Sequence, residues 1–172
     1  SITTVTVPIT GGYSPDQVGI PEVRLPCQQP NSVAELTNNS VTYRGRQLDQ
    51  TLKRLTLSRS DLYNNTCLSQ FTNSTLNSTF FSIGDLDDDA LSIIYRCNSS
   101  AMSIKPQNLF SCSIPGVNFT DAYYIVGPIP SDPILRFINC SVSVTVPILR
   151  SAGARLVSNE ISLSEAVMQV LA

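Results

Sequence analysis

The chain has 172 residues, 14 % of them charged and 42 % hydrophobic, with a formal net charge of −2 and no histidine. That length suffices for one domain with its own core, and the near-neutral balance, with no run of basic residues, excludes the field that a polyanion such as DNA requires. Without histidine there is no Ser-His-Asp or Cys-His nucleophile, no imidazole metal ligand and no general base near neutral pH, which points away from an enzyme.

Short alternating or β-branched runs, punctuated by Pro, Gly and Asn, follow one another along the chain. Strands are expected at 2–9, 41–46, 52–58, 79–83, 91–96, 122–126, 134–138 and 142–149. In the third run Leu55 and Leu57 share one face and Arg54, Thr56 and Ser58 the other, the alternation of a strand with one wet side. The expected fold is all-β, antiparallel and sandwich-like. Its parts are an N-terminal strand or arm (1–17), a β domain (18–150), and a linker with a C-terminal amphipathic helix (151–172). In that tail Ser162 and Glu165 form an S-x-x-E capping box, after which Leu163, Ala166, Val167, Val170 and Leu171 line one helical face. Such a face needs a partner: the domain's own sheet, a continuation of the chain, or a neighbouring molecule. No apolar stretch is long enough to span a membrane, and Ser1 does not open a charged and then apolar leader, so neither a span nor a signal peptide is expected.

One segment occurs twice. Val5-Thr6-Val7-Pro8-Ile9 is repeated letter for letter as Val144-Thr145-Val146-Pro147-Ile148. Each copy is expected at the same kind of sheet position, at an edge or ending at its proline, because proline lacks the N–H that a central ladder uses. Either copy can then add to an open edge of its own sheet or of another subunit.

Asn-x-Ser/Thr triplets occur at Asn38, Asn64, Asn73, Asn77, Asn98, Asn118 and Asn139, against about two or three expected by chance from this composition. The excess implies N-glycosylation in a secretory route. Asn139 is the weakest acceptor, because its middle residue is Cys140. Cys27, Cys67, Cys97, Cys112 and Cys140 are widely spaced without a C-x-x-C pair, so disulfides are favoured over zinc or redox chemistry. The count is odd, and the pairing does not follow from spacing. One thiol is free or joins another chain.

Five basic residues, Arg44, Arg46, Lys53, Arg54 and Arg59, crowd two expected neighbouring strands. A guanidinium holds a uronate carboxylate with two parallel hydrogen bonds, so this strip suits an acidic polysaccharide; a solvated strand face balanced by nearby acids is the plainer account. Tyr123 and Tyr124 offer a stacking platform only if alternation exposes one of them. The acidic run Asp85, Asp87, Asp88 and Asp89 lacks the spacing and terminal Glu of an EF-hand loop and reads as solvated. No metal or cofactor is expected.

From Val41 onward the order of motifs resembles the extracellular region of plant wall-associated-kinase-like receptors, in the leaf-rust-resistance-locus receptor-like kinase branch. The resemblance is carried by "LTLSRSDLYNNTC", "NSTLNSTFFS", "LSIIYRC", "LFSC", "DAYYIVG" and "CSVSVTVPIL", and it covers roughly residues 18–171. It implies a glycosylated, cysteine-bridged module facing the cell wall, with a pectic galacturonan as ligand. The family opens this half with a cysteine where "VGIPEVRLPC" carries Val18. The resemblance therefore makes Cys27 the unpaired or intermolecular thiol and leaves Cys67, Cys97, Cys112 and Cys140 to form bridges. The family's galacturonan-binding half is represented only by its end, and its membrane helix and kinase do not follow.

The sequence thus leads to an extracellular, secreted or cell-surface glycoprotein that binds rather than catalyses. The alternative is a self-assembling structural glycoprotein in which Val5, Thr6, Val7, Pro8 and Ile9 complement a neighbouring subunit's sheet, closing into a ring or running on as a fibre.

Overall fold

A computed structural model describes residues 2–6, 23–24, 35–38, 40–49, 51, 54–74, 82–83, 88–101, 106–113, 115–127 and 140–168. Among the described residues ten strands form two antiparallel sheets: β1 (Ile2–Thr6), β2 (Val23–Arg24), β3 (Glu35–Asn38), β4 (Val41–Asp49), β5 (Arg54–Arg59), β6 (Ser82–Ile83), β7 (Asp88–Cys97), β8 (Leu109–Ser111), β9 (Asp121–Val126) and β10 (Cys140–Leu149). The first sheet runs β2-β3-β4-β5-β1-β6 and the second β10-β7-β9-β8. Two helices follow, α1 (Arg150–Val157) and α2 (Leu163–Met168). The expected all-β architecture with a short C-terminal helix is what the chain adopts. Seven of the eight expected strand segments contain a strand, and 134–138 lies outside the described residues.

Local sequence explains the irregular points. β3 and β4 are joined by a two-residue loop, Asn38 pairing with Val41, and Ser40 takes a φ of 66°, the left-handed conformation such a hairpin turn demands. Pairing of β4 with β5 shifts by one residue between Gly45 and Gln47, so Arg46 is an extra residue that no β5 residue opposes. A second bulge lies in β7 between Ile94 and Cys97, where Arg96 has a φ of 57°. At that end of β7, Cys97 sits directly opposite Cys140 of β10 and is bonded to it.

Burial corrects the expected strand face. β5 lies between β4 and β1, and Thr56, Leu57, Ser58 and Arg59 are all buried, so neither face of that stretch is wet. The two copies of the repeated segment also differ in setting. Val5 and Thr6 of β1 pair with β5 on one side and β6 on the other, so the described part of the N-terminal strand is built into a sheet of its own chain. The second copy, Val144 to Ile148, pairs with β7 and lies in the end strand of its described sheet, where Pro147 was expected. Val7, Pro8 and Ile9 lie outside the described residues.

The main core joins Leu91, Ile93, Tyr95, Val144, Val146 and Ile148 of the second sheet to Leu62 and Leu68 of the loop after β5 and to both helices. α2 begins with the expected capping box: Ser162 N–H and Oγ–H donate to Glu165 Oε2, and Glu165 N–H donates to Ser162 Oγ. Glu165 is held below its ordinary range, chiefly by the Ser162 backbone donor. Of the helix's expected apolar face, Ala166 and Val167 are buried in the main core and Leu163 packs against it, while Val170 and Leu171 lie outside the described residues.

The linker expected before α2 is instead a helix. α1 ends in a Schellman cap: Asn159 is left-handed at φ 58°, its N–H donates to Leu156 O, and Glu160 N–H donates to Arg155 O. Its middle carries Gly153, which lowers helix propensity, but that glycine is what lets the helix approach the sheet. A Cβ there would lie 3.1 Å from Val126 Cγ1 and 3.3 Å from Ile148 Cδ1. Gly153→Val is therefore expected to overpack the helix–sheet contact and lower stability by about 1–3 kcal/mol, read as a lower urea midpoint at unchanged slope. Gly153→Ala gains about 1 kcal/mol of helix propensity against a smaller clash and is expected to stay near wild type.

Candidate functional site

The pleat divides the basic strip. Arg44 of β4 faces Ser58 of β5, whereas Arg59 faces Tyr43, one residue further and therefore on the opposite side of the sheet. Arg44 and Arg46 are exposed; Arg59 is 1 % exposed and is no part of a surface strip, which corrects the sequence expectation for that residue. Lys53 lies outside the described residues, and the described part of Arg54 is its backbone, paired with Thr6 and Asp49.

Arg44 Nε lies 3.5 Å from Glu35 Oε1 in an exposed pair. Arg46, on its bulge, reaches back across the strand. Its Nε donates to Ser58 Oγ at 2.9 Å, and its guanidinium lies over the Tyr63 ring, 4.9 Å from the centroid. Tyr63 remains 44 % exposed and is set by a tight turn in which its N–H donates to Ser60 O. The outcome is an exposed guanidinium held in one pose by a hydroxyl and an aromatic ring. Sequence reading missed Tyr63; the signal was its place two residues beyond Asp61, in the turn that follows the basic strand.

Beside this surface a groove of about 400 Å³ is lined by Ser40, Thr42, Asp61, Asn65, Ser69 and Gln70 over Val41 and Leu68. Its one carboxylate is neutralised from beneath. Arg59 Nε donates to Asp61 Oδ1 at 2.9 Å and Nη2 to Oδ2 at 2.6 Å, a bidentate fork. Arg59 Nη1 also donates to Thr72 O at 2.7 Å and to Ser74 Oγ at 3.1 Å. The groove thus presents hydroxyl and amide groups without free charge.

The tyrosine platform does not form. Tyr123 is buried beside Ile94 and Cys97, and Tyr124, partly buried, packs on the main core from the other face. Burial pushes both phenols above their ordinary value. Asp88 and Asp89 belong to β7, where Asp89 Oδ1 accepts from Ala90 N–H, while Asp85 and Asp87 lie outside the described residues. Among the described residues no three His, Cys, Asp or Glu side chains converge as a metal site.

Cys67 bonds Cys112 and Cys97 bonds Cys140, the four cysteines that the resemblance assigned to bridges; Cys27 lies outside the described residues. Of the acceptor asparagines, Asn64, Asn73 and Asn118 are exposed and Asn98 is half-buried. Asn38 belongs to β3, and Asn77 and Asn139 lie outside the described residues. No helix among the described residues is long and apolar enough to cross a membrane. Comparison with protein-family models, curated proteins and solved structures finds no match to this chain.

Two outcomes test the energetics of this region. Arg59→Ala leaves Asp61 and two loop acceptors without their donor and is expected to cost about 3–5 kcal/mol, measured by urea unfolding. Tyr95 is buried, donates to Thr66 O at 2.8 Å, and has its phenol pushed up chiefly by desolvation, partly offset by the Arg59 charge. Its folded value lies above the unfolded 10.0, so its contribution is complete below pH 10.0 and declines as pH rises beyond it. Tyr95→Phe is expected to flatten the fall in urea midpoint through that alkaline range.

Proposed function

We propose that this chain is an extracellular, N-glycosylated, non-catalytic module that binds an acidic cell-wall polysaccharide of the galacturonan type, as its resemblance to plant wall-associated-kinase-like receptor ectodomains implies. The observation that carries this reading is the pose of Arg46. A mobile arginine loses side-chain entropy on binding; Ser58 and Tyr63 have already taken that cost. Ser58 occupies Nε, and the Nη edge of the exposed guanidinium is the fork that a uronate carboxylate matches. Arg44, two residues along the same face, supplies a second cation for the next acidic sugar, its partner Glu35 being an exposed and easily exchanged counter-ion.

Two disulfides support the extracellular setting, since such bridges persist in oxidising compartments. The exposed acceptors Asn64, Asn73 and Asn118 suit a secreted glycoprotein. Strand exchange between subunits is the weaker reading, because β1 and α2 both find partners within their own chain.

Titration of oligogalacturonides into the glycosylated protein by calorimetry tests the proposal. Arg44→Glu/Arg46→Glu, with melting unchanged, is expected to weaken binding at least tenfold, about 1.4 kcal/mol or more, and to abolish its salt dependence. Equal affinity in that variant, or equal affinity of the wild type for a neutral glucan of the same length, would remove it.

A further inference from the structure

β10 ends its described sheet, and the peptide groups on its outer side are the kind that template another strand. Their parity is fixed by two bonds. Thr145 N–H donates to Asn73 Oδ1 at 2.9 Å, and Thr145 O accepts from Ser74 N–H at 3.1 Å, so residue 145 points away from β7. With a period of two, residues 141, 143 and 147 point the same way. Position 147 is proline, which brings no N–H to that edge.

Leu149, of the same parity, ends the strand as the cap of α1, which leaves Ser141 and Ser143, both with exposed side chains. Nothing in their chemistry discourages pairing, for the segment Val142 to Val146 is rich in β-branched residues and carries no charge. Among the described residues, the hydrogen bonds that Asn73 and Ser74 make to this edge fall at Thr145, about 7 Å from Ser143 along the strand.

Asn73 begins an acceptor triplet, Asn73-Ser74-Thr75, and its side chain is exposed. Since Thr145 supplies an N–H, the amide atom facing it is oxygen, which directs Nδ2, the atom that sugar is attached to, away from the bond. Glycosylation of Asn73 therefore leaves the cap on Thr145 intact. We infer that the N-glycan on Asn73 guards the outer edge of β10, the end strand of its described sheet, keeping a second copy of this chain from pairing with it edge to edge. The inference rests on the secretory reading above and goes beyond it by giving one acceptor a distinct physical task. The other exposed acceptors, Asn64 and Asn118, have no such bond to a strand edge among the described contacts and serve as controls.

The test uses the full chain secreted from a glycosylating host, with site occupancy mapped by peptide mass spectrometry and association followed by sedimentation velocity over a concentration series. Thr75→Ala removes the acceptor triplet while keeping the Asn73 side chain on Thr145. It is expected to melt with the wild type yet associate at a concentration at least tenfold lower. Asn118→Gln is expected to sediment as the wild type does. Adding Pro147→Val to Thr75→Ala restores an outward N–H and should promote association further. Asn73→Asp, which keeps the acceptor oxygen without sugar, provides a second variant should Thr75→Ala misfold. Occupied Asn73 with no change in association on its removal overturns the inference alone. Bare asparagines at every acceptor overturn the secretory reading with it.

Discussion

The fork between Arg59 and Asp61 is the contact on which the rest of the molecule depends. A buried guanidinium costs several kcal/mol of lost hydration, and the structure offsets it by giving Arg59 four acceptor contacts, two on one carboxylate and two on the chain at Thr72 and Ser74. Asp61 keeps part of its carboxylate at the surface, so one end of the pair stays hydrated. What the fork secures is the path of the segment between the sheets. Residues 60–74 leave β5, supply Leu62 and Leu68 to the core, pass Cys67 to its bridge, receive the Tyr95 hydroxyl at Thr66, and end on the edge of β10. Phe71 lies between Tyr95, with ring centroids 5.0 Å apart, and the Arg96 guanidinium. An apolar contact alone permits sliding; a bidentate ion pair fixes where the loop starts its crossing.

Each disulfide reinforces a different element of that plan. Cys97–Cys140 joins directly opposed residues of β7 and β10, and Cys67–Cys112 ties the crossing segment to the end of β8. Their loops span 43 and 45 residues, so each removes about 4 kcal/mol of unfolded-chain entropy on the loop-closure argument. The bulge at Arg96 matters here. One extra residue in β7 changes its pairing with β9 without disturbing that with β10, so Cys97 meets Cys140 and Tyr95 stays in the core.

The strands were legible because each is a β-branched or alternating run between breakers, and α2 because its capping box is written in two residues. α1 was hidden for the opposite reason. "RSAGARLV" is weakened as a helix by Gly153, and that glycine is buried with Ala152 and Leu156 where the helix packs on the sheet. Tertiary packing overrides local preference at that point. β2, β3 and β8 are two to four residues long, below the length at which alternation is a signal.

The site was half legible, and the missing half was available in the same pattern. Alternation already placed Arg59 with Leu55 and Leu57, on the face that must be buried, and the aspartate two residues on was its natural partner. Grouping the arginines by proximity in sequence ignored the pleat. Arg46, by contrast, lay beyond reach of any alternation rule, because a bulge decides where it points and Tyr63, seventeen residues away, decides where it rests. The tyrosines misled for a related reason: alternation separates Tyr123 from Tyr124 correctly, but the second sheet carries an apolar layer on both faces, so separation does not mean exposure. A chain with so few charges has little else with which to keep its strands apart from other molecules. The Asn73 cap on Thr145 and the proline at 147 are two features of one edge, and each denies a partner a hydrogen bond it needs.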